Sequence, residues 1–226
     1  MRYKALLLDI DNTLYNYNRT HAIAKKSVIG FCKNKFNINE NTILKAYEKA
    51  RKKVHTELSE TASSHNRLLY FQKMCELLEV NPLAYSMDIY NIYWDTFLEN
   101  MQPFDSVYEL LEIYKNNICL LTDLTAHIQY RKIKKLKLDE YCNAIVTSEE
   151  AGKEKPHPYM FMLALQKLDL HSSEVCMIGD SFKKDIFGAR NLDIDAIWFN
   201  HEQKQENYDD EKIKEVSTMK ELLELV

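Results

Sequence analysis

From Phe104 onward the chain alternates helix-patterned segments with short apolar runs, and that alternation leaves few folds open. It predicts a helix near Ser106–Lys115, a strand Ile118–Leu121, a helix near Ala126–Leu136, a strand Ala144–Val146 and a helix near Tyr159–Leu168. A strand Val175–Ile178, a helix near Lys184–Asn191 and a strand Ala196–Phe199 continue the pattern. Strands and helices in this order form a parallel sheet covered on both faces. An earlier run, Ala5–Leu8, is apolar throughout, as a strand in the middle of such a sheet must be. The expected fold class is α/β. Such sheets bind ligands at the carboxyl ends of their strands, where three of the expected strands end on Asp9, Thr122 and Asp180.

Between Asn16 and Gln102 the pattern is helical, with no convincing strand. One helix is expected from about His21 to Lys35, and a second carries Ile43, Leu44, Tyr47, Val54 and Leu58 on one side. Ser64 is positioned to cap a third, which Asn81-Pro82 would end, and Ser86 a fourth. Pro103 marks a boundary, so the expected organisation is a core from residues 1–15 and 103–226 with an all-helical insertion at 16–102. The stretch from His201 to Glu215 reads as a solvated connector, and "MKELLELV" as a closing helix.

A chain of 226 residues with 46% hydrophobic composition can bury a full core. The net charge of −4 gives no pull toward nucleic acid or an anionic membrane, which favours a small-molecule partner. Five dispersed cysteines without a CxxC pair read as reduced packing residues in the cytoplasm. The basic run "RKIKKLKL" at Arg131 interleaves charges with Ile133, Leu136 and Leu138, as expected of a helix with one solvated face. No aromatic platform accompanies it.

Asp9 and Asp11 stand two residues apart, so an extended chain puts both carboxylates on one face, where they can converge on one metal or substrate atom. Two close carboxylates repel, and a divalent cation resolves the repulsion. Further along stand Thr122, Lys155 before a proline, and Gly179-Asp180 with Asp185 behind. Taken singly, each has an ordinary role: a β-former, a solvated loop charge, an acid in the first turn of a helix. Three of the four glycines, Gly152, Gly179 and Gly188, fall in or beside these loops, where backbone turns tightly or approaches a ligand.

Together these residues resemble the four ordered motifs of the haloacid dehalogenase superfamily: D-I-D-N-T at Asp9–Thr13, Thr122, Lys155-Pro156, and Gly179-Asp180-Ser181 with Asp185. The resemblance implies a Rossmann-like core whose helical insertion is a cap, in a branch made mostly of phosphatases. It further implies Asp9 as nucleophile forming an aspartyl-phosphate, and Asp11 as the acid that protonates the leaving group and then activates water. Mg²⁺ would be held by the Asp9 and Asp180 carboxylates and the Asp11 backbone carbonyl. Thr122 and Lys155 would bind phosphoryl oxygens, and Asp185 would orient Lys155 or a metal-bound water. Lys153 lies two residues away, but Lys155 precedes the proline as in the family.

Relatives often follow the threonine of the second motif with Asn-Gly, where this chain has Asp123-Leu124, a potential extra negative charge near the phosphate. They also tend to place glycine where Asp193 stands, and aspartate tolerates the left-handed backbone. Asp11 argues against a haloacid dehalogenase, which lacks an acid there, and phosphonatase is similarly disfavoured. A sugar phosphomutase would use the same pair. A phospho-accepting receiver would lack the insertion, and a non-catalytic scaffold would lack one of the chemical residues. The expectation is a phosphatase of a nucleoside monophosphate or sugar phosphate. Among the cap residues Arg51, Lys52, His55 and Arg67, Arg67 opens an otherwise apolar helix and is the candidate for leaving-group specificity.

Overall fold

The computed structural model describes residues 2–226. The chain divides into two compact units, one formed by the segment up to Asn16 together with Gln102–Val226, the other by Tyr17–Met101.

The first unit is a six-stranded parallel sheet of order β3-β2-β1-β4-β5-β6. Its strands are β1 (Ala5–Leu8), β2 (Ile118–Thr122), β3 (Ala144–Thr147), β4 (Val175–Gly179), β5 (Asp195–Phe199) and β6 (Ile213–Val216). β1, β2 and β4 are buried at every position, which is why they read as unbroken apolar runs. Met160, Phe161 and Ala164 of a covering helix join Leu7, Leu121, Met177 and Trp198 in one continuous core. Leu8 pairs with Leu120 on one side and Ile178 on the other. The residues that follow these three strands therefore emerge together at the carboxyl end of the sheet.

β6 falls inside the expected connector. Only Ile213 and Val216 of this edge strand are buried, while Lys214 and Glu215 face outward, so its composition reads as solvated. Among the described residues, no helix is long and apolar enough to cross a membrane.

The second unit holds four helices, α1 (Tyr17–Phe36), α2 (Glu40–Glu57), α3 (Arg67–Leu77) and α4 (Pro82–Glu99). Two caps differ from expectation. Asn66 caps α3 and Asn81 caps α4, each accepting a hydrogen bond from the backbone N–H two residues on. Ser64 lies in a preceding 3₁₀ turn, and Ser86 is buried inside α4. Pro82 opens α4 instead of closing α3, because the first position of a helix needs no N–H donor and suits the fixed proline φ.

The first unit continues with α5 (Val107–Ile113), α6 (Ala126–Lys135), α7 (Ser148–Ala151), α8 (Pro158–Leu168), α9 (Phe187–Arg190) and α10 (Met219–Leu223). A wide turn at Phe182–Ile186 precedes α9, where the sequence suggests one regular helix. Where the chain leaves and re-enters this unit the two segments are paired. Tyr15 bridges to Pro103, and Phe104 donates its N–H to the Leu14 carbonyl at 2.9 Å.

Candidate active site

Asp9 follows β1 directly, with its N–H continuing the sheet to the Ile178 carbonyl at 3.0 Å. Its buried carboxylate accepts from the Thr13 hydroxyl at 2.9 Å and from Lys155 Nζ at 2.7 Å. The Thr13 hydroxyl also accepts from the Asp180 N–H at 3.0 Å, which ties the loop after β4 to the loop after β1. Lys155 is buried, whereas Lys153 is exposed. The Lys155 ammonium donates to the Leu121 carbonyl at 2.8 Å and lies 2.6 Å from Asp185 Oδ1. Burial works against its charge, but Asp185 and Asp9 beside it hold the amine above the ordinary lysine range.

Asp185 reaches this position because Gly179 has no side chain. A β-carbon on Gly179 would meet the Asp185 carboxylate at 2.4 Å. The other Asp185 oxygen accepts from the Ser181 N–H at 3.0 Å. Gly188 likewise leaves no room for a side chain, since a β-carbon there would meet the Phe161 ring at 2.6 Å and Pro156 at 3.0 Å.

Asp180 accepts from the Asn12 amide at 2.9 Å, and Lys204 Nζ lies 3.5 Å away. Oxygens of Asp9, Asp180 and Asp185 all lie within 4.8 Å of one another. Burial pushes the Asp9 carboxyl up to about 7 against the pull of Lys155. Burial also raises Asp180, with the Asp9 charge adding to the effect, and raises Asp185 despite Lys155. Three crowded carboxylates with raised pKa values form a hard oxygen donor set whose negative charge a divalent cation offsets.

Asp11 sits apart from this cluster. Lys132 Nζ donates to both of its oxygens, at 2.7 and 2.6 Å, Tyr15 donates its hydroxyl to Oδ1, and Gln129 Nε2 lies 3.3 Å from Oδ2. Burial works to raise Asp11, yet the Lys132 charge and these hydrogen bonds bring it below the ordinary carboxylate value. Gln129 Nε2 also donates to the Thr122 hydroxyl and the Asp123 carbonyl, both at 2.7 Å.

α6 has the one solvated face expected of it, and Lys132 is the basic residue that lies off that face. It is wholly buried, while Lys134, Lys135 and Lys137 are exposed. Ile128, Gln129, Lys132, Ile133 and Leu136 fall on one stripe of 3.6-residue spacing, so α6 buries two polar residues in line with its apolar ones.

Asp123 is not a bare charge beside the site. One carboxylate oxygen accepts from the Lys155 N–H at 3.0 Å, and the other lies 2.7 Å from Lys184 Nζ. Leu124 adopts φ 100°, a region that disfavours side chains. Its N–H is held by the Ser148 hydroxyl at 2.9 Å. Asp193 takes the left-handed conformation expected of it, with φ 57°.

A family profile described as haloacid dehalogenase-like hydrolase matches residues 3–193. The chain belongs to this family. The family read from the four motifs is thereby borne out. The chain is 32% identical over 207 residues to the ribulose-1,5-bisphosphate 5-phosphatase of Halopiger xanaduensis, covering 89% of this chain and 87% of that protein. It is 27% identical over 237 residues to the glyceraldehyde 3-phosphate phosphatase of Pyrococcus furiosus, covering 99% and 94%. Among solved structures, the HAD-hydrolase YfnB from Bacillus subtilis bound to magnesium superposes with a TM-score of 0.73 at 21% identity, covering 100% of this chain and 99% of that one. A 2-haloacid dehalogenase from Pseudomonas syringae does so at 0.72 and 20% identity, covering 97% and 96%. The shared fold of these haloacid dehalogenase-like hydrolases thus does not by itself separate their chemistries.

Arg67 lies in the helical unit, 5% exposed. Its donors bond neutral oxygens, the Tyr93 hydroxyl at 3.4 Å, the His65 carbonyl at 2.8 Å and the Tyr17 hydroxyl. The guanidinium also lies over the Tyr70 ring at 4.8 Å.

Proposed function

We propose that this haloacid dehalogenase-like hydrolase cleaves the phosphate monoester of a small sugar phosphate, with Asp9 as nucleophile. The observation that carries the reading is the cluster of Asp9, Asp180 and Asp185 oxygens at the carboxyl end of the sheet, with Lys155 bonded to Asp9. The two relatives are named for sugar phosphates, which favours that class over nucleoside monophosphates. Their names also favour hydrolysis over mutase chemistry.

The crowded oxygens fit Mg²⁺, which Asp9, Asp180 and the Asp11 backbone carbonyl would hold. When bound, the ion supplies positive charge to the phosphate oxygens and to the Asp9 carboxylate. Asp9 attacks phosphorus, forming an O–P bond as the bond to the sugar oxygen breaks. Asp11 in its protonated form gives its proton to the departing oxygen, so the first step runs on the fraction of the enzyme in which Asp11 carries a proton against the pull of Lys132. Asp11 then takes a proton from the water that attacks the aspartyl-phosphate, which releases inorganic phosphate and restores both carboxyl groups. One water is consumed. Thr122 donates its hydroxyl to a phosphoryl oxygen, and Lys155 adds charge there while Asp185 keeps it oriented.

Arg67 is assigned to substrate selection, with the helical unit as the cap. Among the described residues this buried guanidinium bonds the Tyr93 and Tyr17 hydroxyls and the His65 carbonyl, all neutral, which suits it to an anionic or hydroxyl-rich part of the substrate. Arg67→Met is expected to raise KM for the best sugar phosphate; an unchanged KM removes the assignment.

The test of the whole reading is release of phosphate from p-nitrophenyl phosphate and a panel of sugar phosphates, with Mg²⁺, with EDTA, and with Asp9→Asn. Metal-dependent turnover that falls about 10⁴-fold in the variant is the expected result. Turnover that survives Asp9→Asn would overturn it.

A further inference from the structure

Gln129 and Lys132 are three residues apart on α6, on the same helix face, and both are fully buried. Removing an ammonium from water costs several kcal/mol unless it is paired and hydrogen-bonded. An aliphatic side chain would fill this stripe without that cost. Lys132 instead spans both oxygens of Asp11, whose side chain remains 26% exposed while that of Lys132 is 0% exposed. The carboxylate is thus clamped from behind and open in front. Tyr15 and Gln129 hold it from two further directions, and the same Gln129 amide fixes the Thr122 hydroxyl.

We propose that Lys132 is a positioning residue for the acid–base chemistry of Asp11. It fixes the carboxylate's rotamer and plane so that the exposed face of the carboxylate addresses the leaving group. Gln129 sets that carboxylate in register with Thr122, so that acid and phosphate-binding hydroxyl are placed by one side chain. This rests on the phosphatase reading above, and it assigns a task to a helix that carries none of the four motifs.

The experiment compares kcat/KM for p-nitrophenyl phosphate, whose leaving group departs readily, with that for phenyl phosphate, whose leaving group needs a proton. Lys132→Met is expected to lower kcat/KM about 10²-fold for phenyl phosphate and less than about fivefold for p-nitrophenyl phosphate. In an Asp11→Asn background the same substitution should cost less than about threefold, because its effect runs through Asp11. Equal losses for the two esters, or a full additional loss in the Asp11→Asn background, would overturn the proposal. If Lys132→Met fails to fold, Tyr15→Phe removes one hydrogen bond to the same carboxylate and must show the same selectivity for phenyl phosphate. A wild-type protein that hydrolyses neither aryl ester nor any sugar phosphate of the panel refutes the phosphatase reading itself. An active wild type with an unselective variant refutes only the role of Lys132.

Discussion

Gly179 and Asp185 are in such close approach that the space a β-carbon would occupy is already filled by the Asp185 carboxylate, 2.4 Å away. The glycine at the end of β4 is there to admit an acid that grips Lys155. Gly179→Ala should therefore push Asp185 off Lys155, lower kcat/KM about 10²-fold and cost about 1–3 kcal/mol of stability through overpacking. Steady-state kinetics and urea unfolding measure the two effects. Wild-type kinetics in the alanine variant would show that the Asp185–Lys155 contact is dispensable.

Asp123 holds the Lys155 backbone through one oxygen and Lys184 through the other. Asp123→Asn keeps an oxygen for the Lys155 N–H and should change stability by less than about 1 kcal/mol, with kcat/KM within about threefold. Asp123→Ala releases that N–H and should lose distinctly more. Equal effects from the two substitutions would mean that charge, and not the bond to Lys155, is what matters at this position.

Leu124 is buried, and its backbone occupies a region that suits glycine. Truncation to alanine loses the leucine's burial and keeps the strain, whereas truncation to glycine loses the burial and relieves it. Leu124→Gly should therefore be more stable than Leu124→Ala by about 1 kcal/mol, the reverse of the usual order. Thermal unfolding of the two variants decides this.

His21 in the helical unit is held down to about 3, chiefly by burial and further by Arg67, Lys25 and Arg51. Its folded pKa lies below the unfolded value of about 6.5, so between these values the unfolded chain binds the extra proton. The stability owed to neutral His21 is complete above about pH 6.5 and drains away as pH falls toward 3, by up to about 1.4 kcal/mol per unit. His21→Phe should flatten this slope between pH 6.5 and 5, read as urea midpoints at each pH. An unchanged slope would assign the acid sensitivity to other groups.

The central strands were legible because burial on both faces leaves no choice but apolar residues, and their ends because each stops on a polar group at the carboxyl end of the sheet. Asp9, Thr122 and Asp180 are found there, and Lys155 and Asp185 fold back to join Asp9. Helix caps were less legible. Serine and asparagine compete for the same role, and Asn66 and Asn81 took it within a few residues of Ser64 and Ser86. β6 was hidden because an edge strand buries only two of its residues. Lys132 was hidden by its exposed neighbours, since a run of lysines looks solvated until helical spacing separates residue 132 from residues 134, 135 and 137. Placing Ile128, Ile133 and Leu136 on a wheel would have put Gln129 and Lys132 between them.

The pairing of Tyr15 with Pro103, and of Leu14 with Phe104, makes the departure and return of the chain neighbours in the same unit. Everything between them enters and leaves by a single doorway, so the parallel sheet can register its strands without reference to what lies outside. Evolution could lengthen, redraw or replace that excursion while the order of the six strands stays fixed. The covalent link between that excursion and the sheet is confined to two adjacent stretches of backbone.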